Sequence, residues 1–201
     1  MSATIALEFR YHLCFTKLDV RLCIYLGRTL SQWLKDENVV GLEGIDTRSL
    51  TKLIREKGTM LGKIVLDGDE PDSVEMCDPN TMNLVAEVSR SSVATFNPEG
   101  DIRICAVDYG LKLNQVRCLV SRGARVDVVP WNHQLDMSQY DGLFLSNGPG
   151  DPRTCVTSVD QITSVLSHNT LIKPVFGICL GHQLLAAAVG CNSYKLKYEN
   201  F

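Results

Sequence analysis

Residues 174–185 read PVFGICLGHQLL, and no other stretch restricts the possible fold as much. Pro174 to Ile178 reads as a strand, and a helix follows at once from Leu180 to Val189, closed by Gly190. Between them stands Gly177-Ile178-Cys179-Leu180-Gly181. A strand that enters a helix without a loop turns sharply and strains the residue at the apex. Its flanks must therefore carry little or no side chain, which is the nucleophile-elbow pattern, here with cysteine at the reactive position. The start of a helix favours the thiolate, and the amide of Leu180 is placed to donate to an oxyanion. A competing reading is an inert cysteine buried at the end of a core strand. The paired glycines, with strand before and helix after, favour the reactive one.

The preceding residues give this elbow a sheet to stand on. Ile102 to Val107, Arg125 to Val129 and Gly142 to Leu145 read as strands. Asn114 to Arg122, ended by Gly123, and residues 156–167 read as helices. Strands alternating with such helices imply a parallel sheet covered on both faces, hence an α/β class. The third of these strands runs into Ser146-Asn147-Gly148-Pro149-Gly150-Asp151-Pro152. Ligands of open parallel sheets bind beyond the carboxyl ends of the strands. A Gly-Pro-Gly loop there exposes amides that could supply a second oxyanion donor, although a plain tight turn has the same composition.

Upstream, Thr29 or Ser31 could cap a short helix carrying Leu30, Trp33 and Leu34, with Trp33 read as core. A second helix starts near Asp46-Thr47, carries Leu50, Leu53 and Ile54, and ends at Gly58 after Arg55 and Lys57. Basic residues in the last turn with glycine beyond suit a helix C-terminus. GKIVL at 62–66 reads as a strand, and residues 67–101 as loops and a linker with its boundary near Asn97-Gly100. In residues 1–27, Glu8, Arg10, Lys17, Asp19 and Arg21 interrupt the apolar positions, so no secretory apolar core forms. Eight cysteines at irregular spacings, none as CxxC, read as free thiols of a reducing compartment, the cytoplasm. A formal charge of -3 makes nucleic acid an unfavoured partner. No apolar run reaches a membrane-spanning length. There is no GxxxxGK[ST] for ATP, no GxGxxG and no metal-ligand spacing.

GICLGHQ downstream of SNGPGDP is similar to the class I glutamine amidotransferases. GLEGIDTRSLTKLIREKG at 41–58, AVDYGLKLNQVRCL at 106–119 and VVPWNH at 128–133 narrow the likeness. Together they resemble the small subunit of carbamoyl-phosphate synthetase, especially the animal-type fused enzyme that starts pyrimidine synthesis. The resemblance implies a partial flavodoxin-like parallel sheet over 101–201, preceded by a partial small α+β domain over 28–100, with 1–27 unmatched. It implies that the Cys179 thiolate attacks the side-chain amide of L-glutamine, forming a glutamyl thioester and releasing ammonia. Gly148, Gly150, Leu180 and Gln183 would line the glutamine pocket and oxyanion hole. The expected partner is a synthetase large subunit or fused synthetase domain. No cofactor is expected in this region, since ATP and magnesium belong to the synthetase.

In this family a histidine and a glutamate lie downstream of the cysteine in a His-Pro-Glu type motif, which these 201 residues do not contain. The chain alone is therefore expected to be an inactive fragment, with an unpaired sheet edge and marginal stability. The histidines present offer no evident substitute. His182 belongs to the first turn of the elbow helix, His168 closes a helix, and His12 lies outside the match. His133 follows the second strand, and with a sheet order of 2-1-3-4 three strand spacings would part it from Cys179. Asp108-Tyr109-Gly110 could hold an anion at the next helix, on the strength of a single glycine.

Overall fold

The computed structural model describes residues 29–36, 38–42, 44–58, 60–65, 70–73, 76, 78–167 and 173–194. The chain divides into two compact units, Met1–Cys77 with Leu196–Phe201, and Asp78–Lys195.

In the first unit, α1 (Leu30–Asp36) starts where Thr29 Oγ1 accepts the Gln32 amide at 3.0 Å. Helix α2 (Thr47–Lys57) is capped by Asp46, whose carboxylate accepts the Ser49 amide at 2.9 Å and the Ser49 hydroxyl at 2.7 Å. Those bonds hold the Asp46 carboxyl below its ordinary range. Gly58 ends α2 with φ 80°, and its N–H donates to the Ile54 carbonyl. Its ψ of -160° lies outside the left-handed helical region. Two expectations fail here. Of the 62–66 stretch, residues 62–65 form no strand and Leu66 lies outside the described residues; β-rich composition makes a strand only where a partner strand supplies hydrogen bonds. Trp33 is 45% exposed and so is no core residue among those described.

The second unit holds the sheet. Its strands are β1 (Ala94–Phe96), β2 (Ile102–Asp108), β3 (Ala124–Pro130), β4 (Gly142–Leu145) and β5 (Val175–Gly177). Their order is β1-β3-β2-β4-β5. The last four are mutually parallel, and β1 adds an antiparallel edge with Phe96 opposite Val126. The parallel strands thus take the expected 2-1-3-4 order. Strand β1 and the short helix α3 (Leu84–Val88), capped by Asn83, arise from residues read as linker. They belong to the compact unit that begins at Asp78.

Alternation along the strands sorts side chains onto two faces. Cys105, Val107, Leu143 and Leu145 pack with Ile162 of α5 (Val156–Ser167) and with Leu180 and Leu184 of α6 (Leu180–Ala188). Ala106, Val126, Val128 and Phe144 pack with Val116 of α4 (Leu113–Val120) on the other face. Each fully buried aliphatic side chain contributes about 2 kcal/mol. Leu180 and Leu184, both buried, therefore clamp α6 to the sheet and fix the height of the residue just before it.

Candidate active site at the strand-to-helix elbow

Cys179 is the residue just before α6, with Ile178 between it and the end of β5. Its backbone has φ 52° and ψ -109°, outside the regions open to ordinary L-residues. Such a conformation costs on the order of 1–3 kcal/mol and persists only when the surroundings dictate it. Three hydrogen bonds do so here. The Ile178 amide donates to the Leu145 carbonyl at 2.9 Å, the Gly181 amide to the Ser146 carbonyl at 3.0 Å, and the Gln183 amide to the Cys179 carbonyl at 3.1 Å.

The flanking glycines have no alternative. A Cβ on Gly177 would lie 2.6 Å from the Gly181 carbonyl group, and one on Gly181 would lie 2.2 Å from the Leu145 oxygen. The helix backbone rests directly on the strand backbone, as the tight turn demands. Cys179 is exposed, whereas Cys105 and Cys155 are buried. Burial, with the Asp127 charge in second place, pushes the Cys105 thiol up to about 12, and burial raises Cys155. Both are packed thiols with no access to a substrate. Cys179 has the reach a nucleophile needs.

The structure brings the other expected residues to the same end of the sheet. Leu180 and Gln183 occupy the first turn of α6, Leu180 buried and Gln183 exposed. Gly148 and Gly150 belong to the loop after β4, the strand paired with β5 through Leu145 and Gly177. Gly148 must be glycine, because a Cβ there would lie 2.1 Å from the Tyr109 oxygen. Gly150 has φ 86° and faces Leu84. The loop and the elbow thus leave adjacent parallel strands at their carboxyl ends, where ligands of such sheets bind.

Neither described histidine is bonded to Cys179. His133 is exposed after β3, and β2 and β4 lie between β3 and β5. His182 is exposed and lines a cavity with Lys173, Val175, Leu185 and Cys191. Among the described residues no hydrogen bond joins a histidine to the Cys179 thiol. His168 and His12 lie outside the described residues. No group of three or more His, Cys, Asp or Glu among the described residues could hold a metal ion. No described helix is long and apolar enough to cross a membrane.

The Asp108-Tyr109-Gly110 corner is not an anion site. Asp108 Oδ1 already accepts the amides of Gly110 at 2.9 Å and Leu111 at 2.8 Å, and Oδ2 accepts that of Arg90 at 3.1 Å. The carboxylate fills the place an anion would take. Asp108→Ala should lower stability by about 2 kcal/mol, the scale of lost charge-assisted hydrogen bonds, read as a fall in the urea midpoint. An unchanged midpoint would show that these contacts contribute nothing.

The sequence pointed to Tyr109 only as part of an anion corner and to Ser146 only as part of the Gly-Pro-Gly loop, not to their buried contact. Tyr109 is buried under the loop, and Ser146 is fully buried between β4 and Gly148. The sequence signal for this contact is the Ser-Asn pair directly before Gly-Pro-Gly.

Comparison with known proteins agrees with this geometry. The family described as glutamine amidotransferase class-I matches residues 105–201. The family described as carbamoyl-phosphate synthase small chain, CPSase domain, matches residues 23–64. The multifunctional protein CAD of Squalus acanthias is 51% identical over 173 residues, covering 86% of this chain and 8% of that protein. The multifunctional protein pyr-3 of Neurospora crassa is 41% identical over 199 residues, covering 86% of this chain and 11% of that protein. The mitochondrial carbamoyl-phosphate synthase [ammonia] of Mus musculus is 43% identical over 173 residues, covering 86% of this chain and 11% of that protein. The chain therefore spans about a tenth of the length of these relatives. Its elbow-bearing segment, residues 105–201, belongs to the class I glutamine amidotransferases and is joined to a small-chain domain of the carbamoyl-phosphate synthases.

Proposed function

We propose that this chain carries glutaminase machinery of a glutamine-hydrolysing carbamoyl-phosphate synthase, supplying ammonia for carbamoyl phosphate in de novo pyrimidine synthesis. The observation that carries the reading is the strained, exposed Cys179 between two glycines that admit no side chain. The Cys179 sulfur attacks the side-chain carbonyl carbon of glutamine, and the carbonyl oxygen takes up the negative charge. The Leu180 amide and the Gly148–Gly150 loop serve that oxygen, and Gln183 orients the substrate. Collapse of the adduct breaks the C–N bond, and the nitrogen leaves as ammonia carrying the proton that the thiol gave up. Water then cleaves the thioester, returning glutamate and the free thiol.

The proposed partner is a synthetase large subunit or fused synthetase domain, which consumes the ammonia and alone needs ATP and magnesium. The multifunctional relatives favour the pyrimidine pathway, and the cytoplasm is the compartment proposed. Free Cys105, Cys118, Cys155, Cys179 and Cys191 suit a reducing environment. A second reading is a non-catalytic module that only docks on a synthetase. One observation favours it: no described histidine is hydrogen-bonded to Cys179. Glutamate release from glutamine, measured with a Cys179→Ser control, separates the two. Release that the control abolishes supports the enzyme, and no release even with the synthetase partner present supports the docking module.

A further inference from the structure

We infer that Ser146 is a positioning residue for the glutaminase reaction, holding the Gly148–Gly150 loop in register with the elbow. The inference rests on the glutaminase reading of Cys179. Ser146 is fully buried, yet each of its polar groups is bonded to a different part of the site. Its amide donates to the Val107 carbonyl at 3.3 Å, and its own carbonyl accepts the Gly181 amide at 3.0 Å. Its hydroxyl accepts the Tyr109 amide at 2.9 Å and donates to the Asn147 carbonyl at 2.8 Å. One residue thus ties the end of β2, the start of the loop and the first turn of α6.

The two backbone bonds survive any substitution except proline, so the hydroxyl is the part that sequence can vary. It acts where clearance is least. Gly148 lies so close to Tyr109 that a Cβ would come within 2.1 Å of the Tyr109 oxygen. The Tyr109 amide bonded to the hydroxyl and the Tyr109 carbonyl touching Gly148 belong to one residue. Next door, Asn147 Nδ2 donates to the Gly110 carbonyl at 3.0 Å, fastening the loop to the same corner. Without the hydroxyl the Tyr109 amide is buried with no acceptor, and the corner must shift to find one. Gly148 shifts with it, while Cys179 stays fixed by Leu145 and Ser146 carbonyls. The oxyanion donor and the nucleophile then lose their mutual alignment.

A misplacement near 1 Å costs on the order of 100-fold in rate. The reacting geometry suffers more than substrate binding, so the loss should fall on kcat and spare KM. The test uses the chain together with its synthetase partner. Ser146→Ala should lower kcat for glutamine hydrolysis by roughly 10- to 100-fold with KM within about threefold. Carbamoyl phosphate formation from added ammonia should persist in the same preparation. Ser146→Thr, which keeps the hydroxyl, should recover most of the lost kcat. Wild-type kcat in Ser146→Ala overturns the inference, as does a loss carried by KM alone. If Ser146→Ala fails to fold, Ser146→Cys decides: reduced kcat supports the positioning role, and wild-type kcat overturns it. Cys179→Ser run alongside distinguishes the two failures, since full glutamine-dependent activity in that variant overturns the underlying reading instead.

Discussion

Replacing Cys179 by serine should reduce glutamine-dependent carbamoyl phosphate formation on the order of 1000-fold or more, while formation from free ammonia continues. The residue supplies the bond-forming atom, and no neighbour can substitute. The other described cysteines are buried, as Cys105 and Cys155 are, or lie elsewhere: Cys118 on α4 and Cys191 beyond α6. Serine keeps the shape of the elbow and offers an oxygen that is a far weaker nucleophile at neutral pH. The ammonia control matters because it bypasses the thioester. Loss of both activities would indicate a damaged assembly, and retention of both would show that Cys179 is a structural thiol.

Gly181→Ala should be damaging for a purely steric reason. Its Cβ would meet the Leu145 carbonyl oxygen at 2.2 Å, the Leu145 carbonyl carbon at 2.6 Å and the Leu145 Cβ at 2.7 Å. None of these can move cheaply, since Leu145 is fully buried and β4 is paired on both sides, with β2 and β5. Helix α6 must lift, breaking the bond from the Gly181 amide to the Ser146 carbonyl and releasing the strain at Cys179. Overpacking of this kind costs about 3 kcal/mol, and glutaminase activity should fall with it. Denaturant unfolding reads the first and glutamate release the second. A variant with wild-type stability would mean that the elbow is looser than its geometry.

Much of this was legible from local signals. The elbow announced itself because a sharp turn leaves glycines at fixed offsets, and Cys179 stands between them. Helix α5 was legible over its full range, 156–167, from its apolar period. Strands β2 and β3 carried β-branched runs, β4 ran into the turn residues Ser146-Asn147-Gly148, and β5 led straight into the elbow. What stayed hidden was fixed by distant partners. Strand β1 has three residues among Ser, Asn and Pro, and exists because β3 offers Val126 to Val128 along its edge. GKIVL had strand composition and found no partner among the described residues. Trp33 had an apolar side chain that packing left half-exposed. Ser146 looked like any loop serine, because its role depends on Tyr109, 37 positions earlier in the chain.

The resting arrangement also bears on how the site is used. The elbow is held by backbone hydrogen bonds, and the start of the loop by the Ser146 hydroxyl and the Asn147 side chain, all in place before any substrate arrives, so the oxyanion donors proposed above would need little rearrangement in the transition state. The backbone strain at Cys179 is maintained by buried Leu180 and Leu184, which links core packing to chemistry.

The most direct measurement is to mix the chain and its synthetase partner with isotopically labelled glutamine, quench in acid during turnover, and map the label by peptide mass spectrometry. Covalent glutaminase chemistry at Cys179 predicts a labelled glutamyl group on the peptide containing Cys179, absent from Cys179→Ser. Steady glutamate release with no adduct on Cys179, or with the label on another residue, would contradict it.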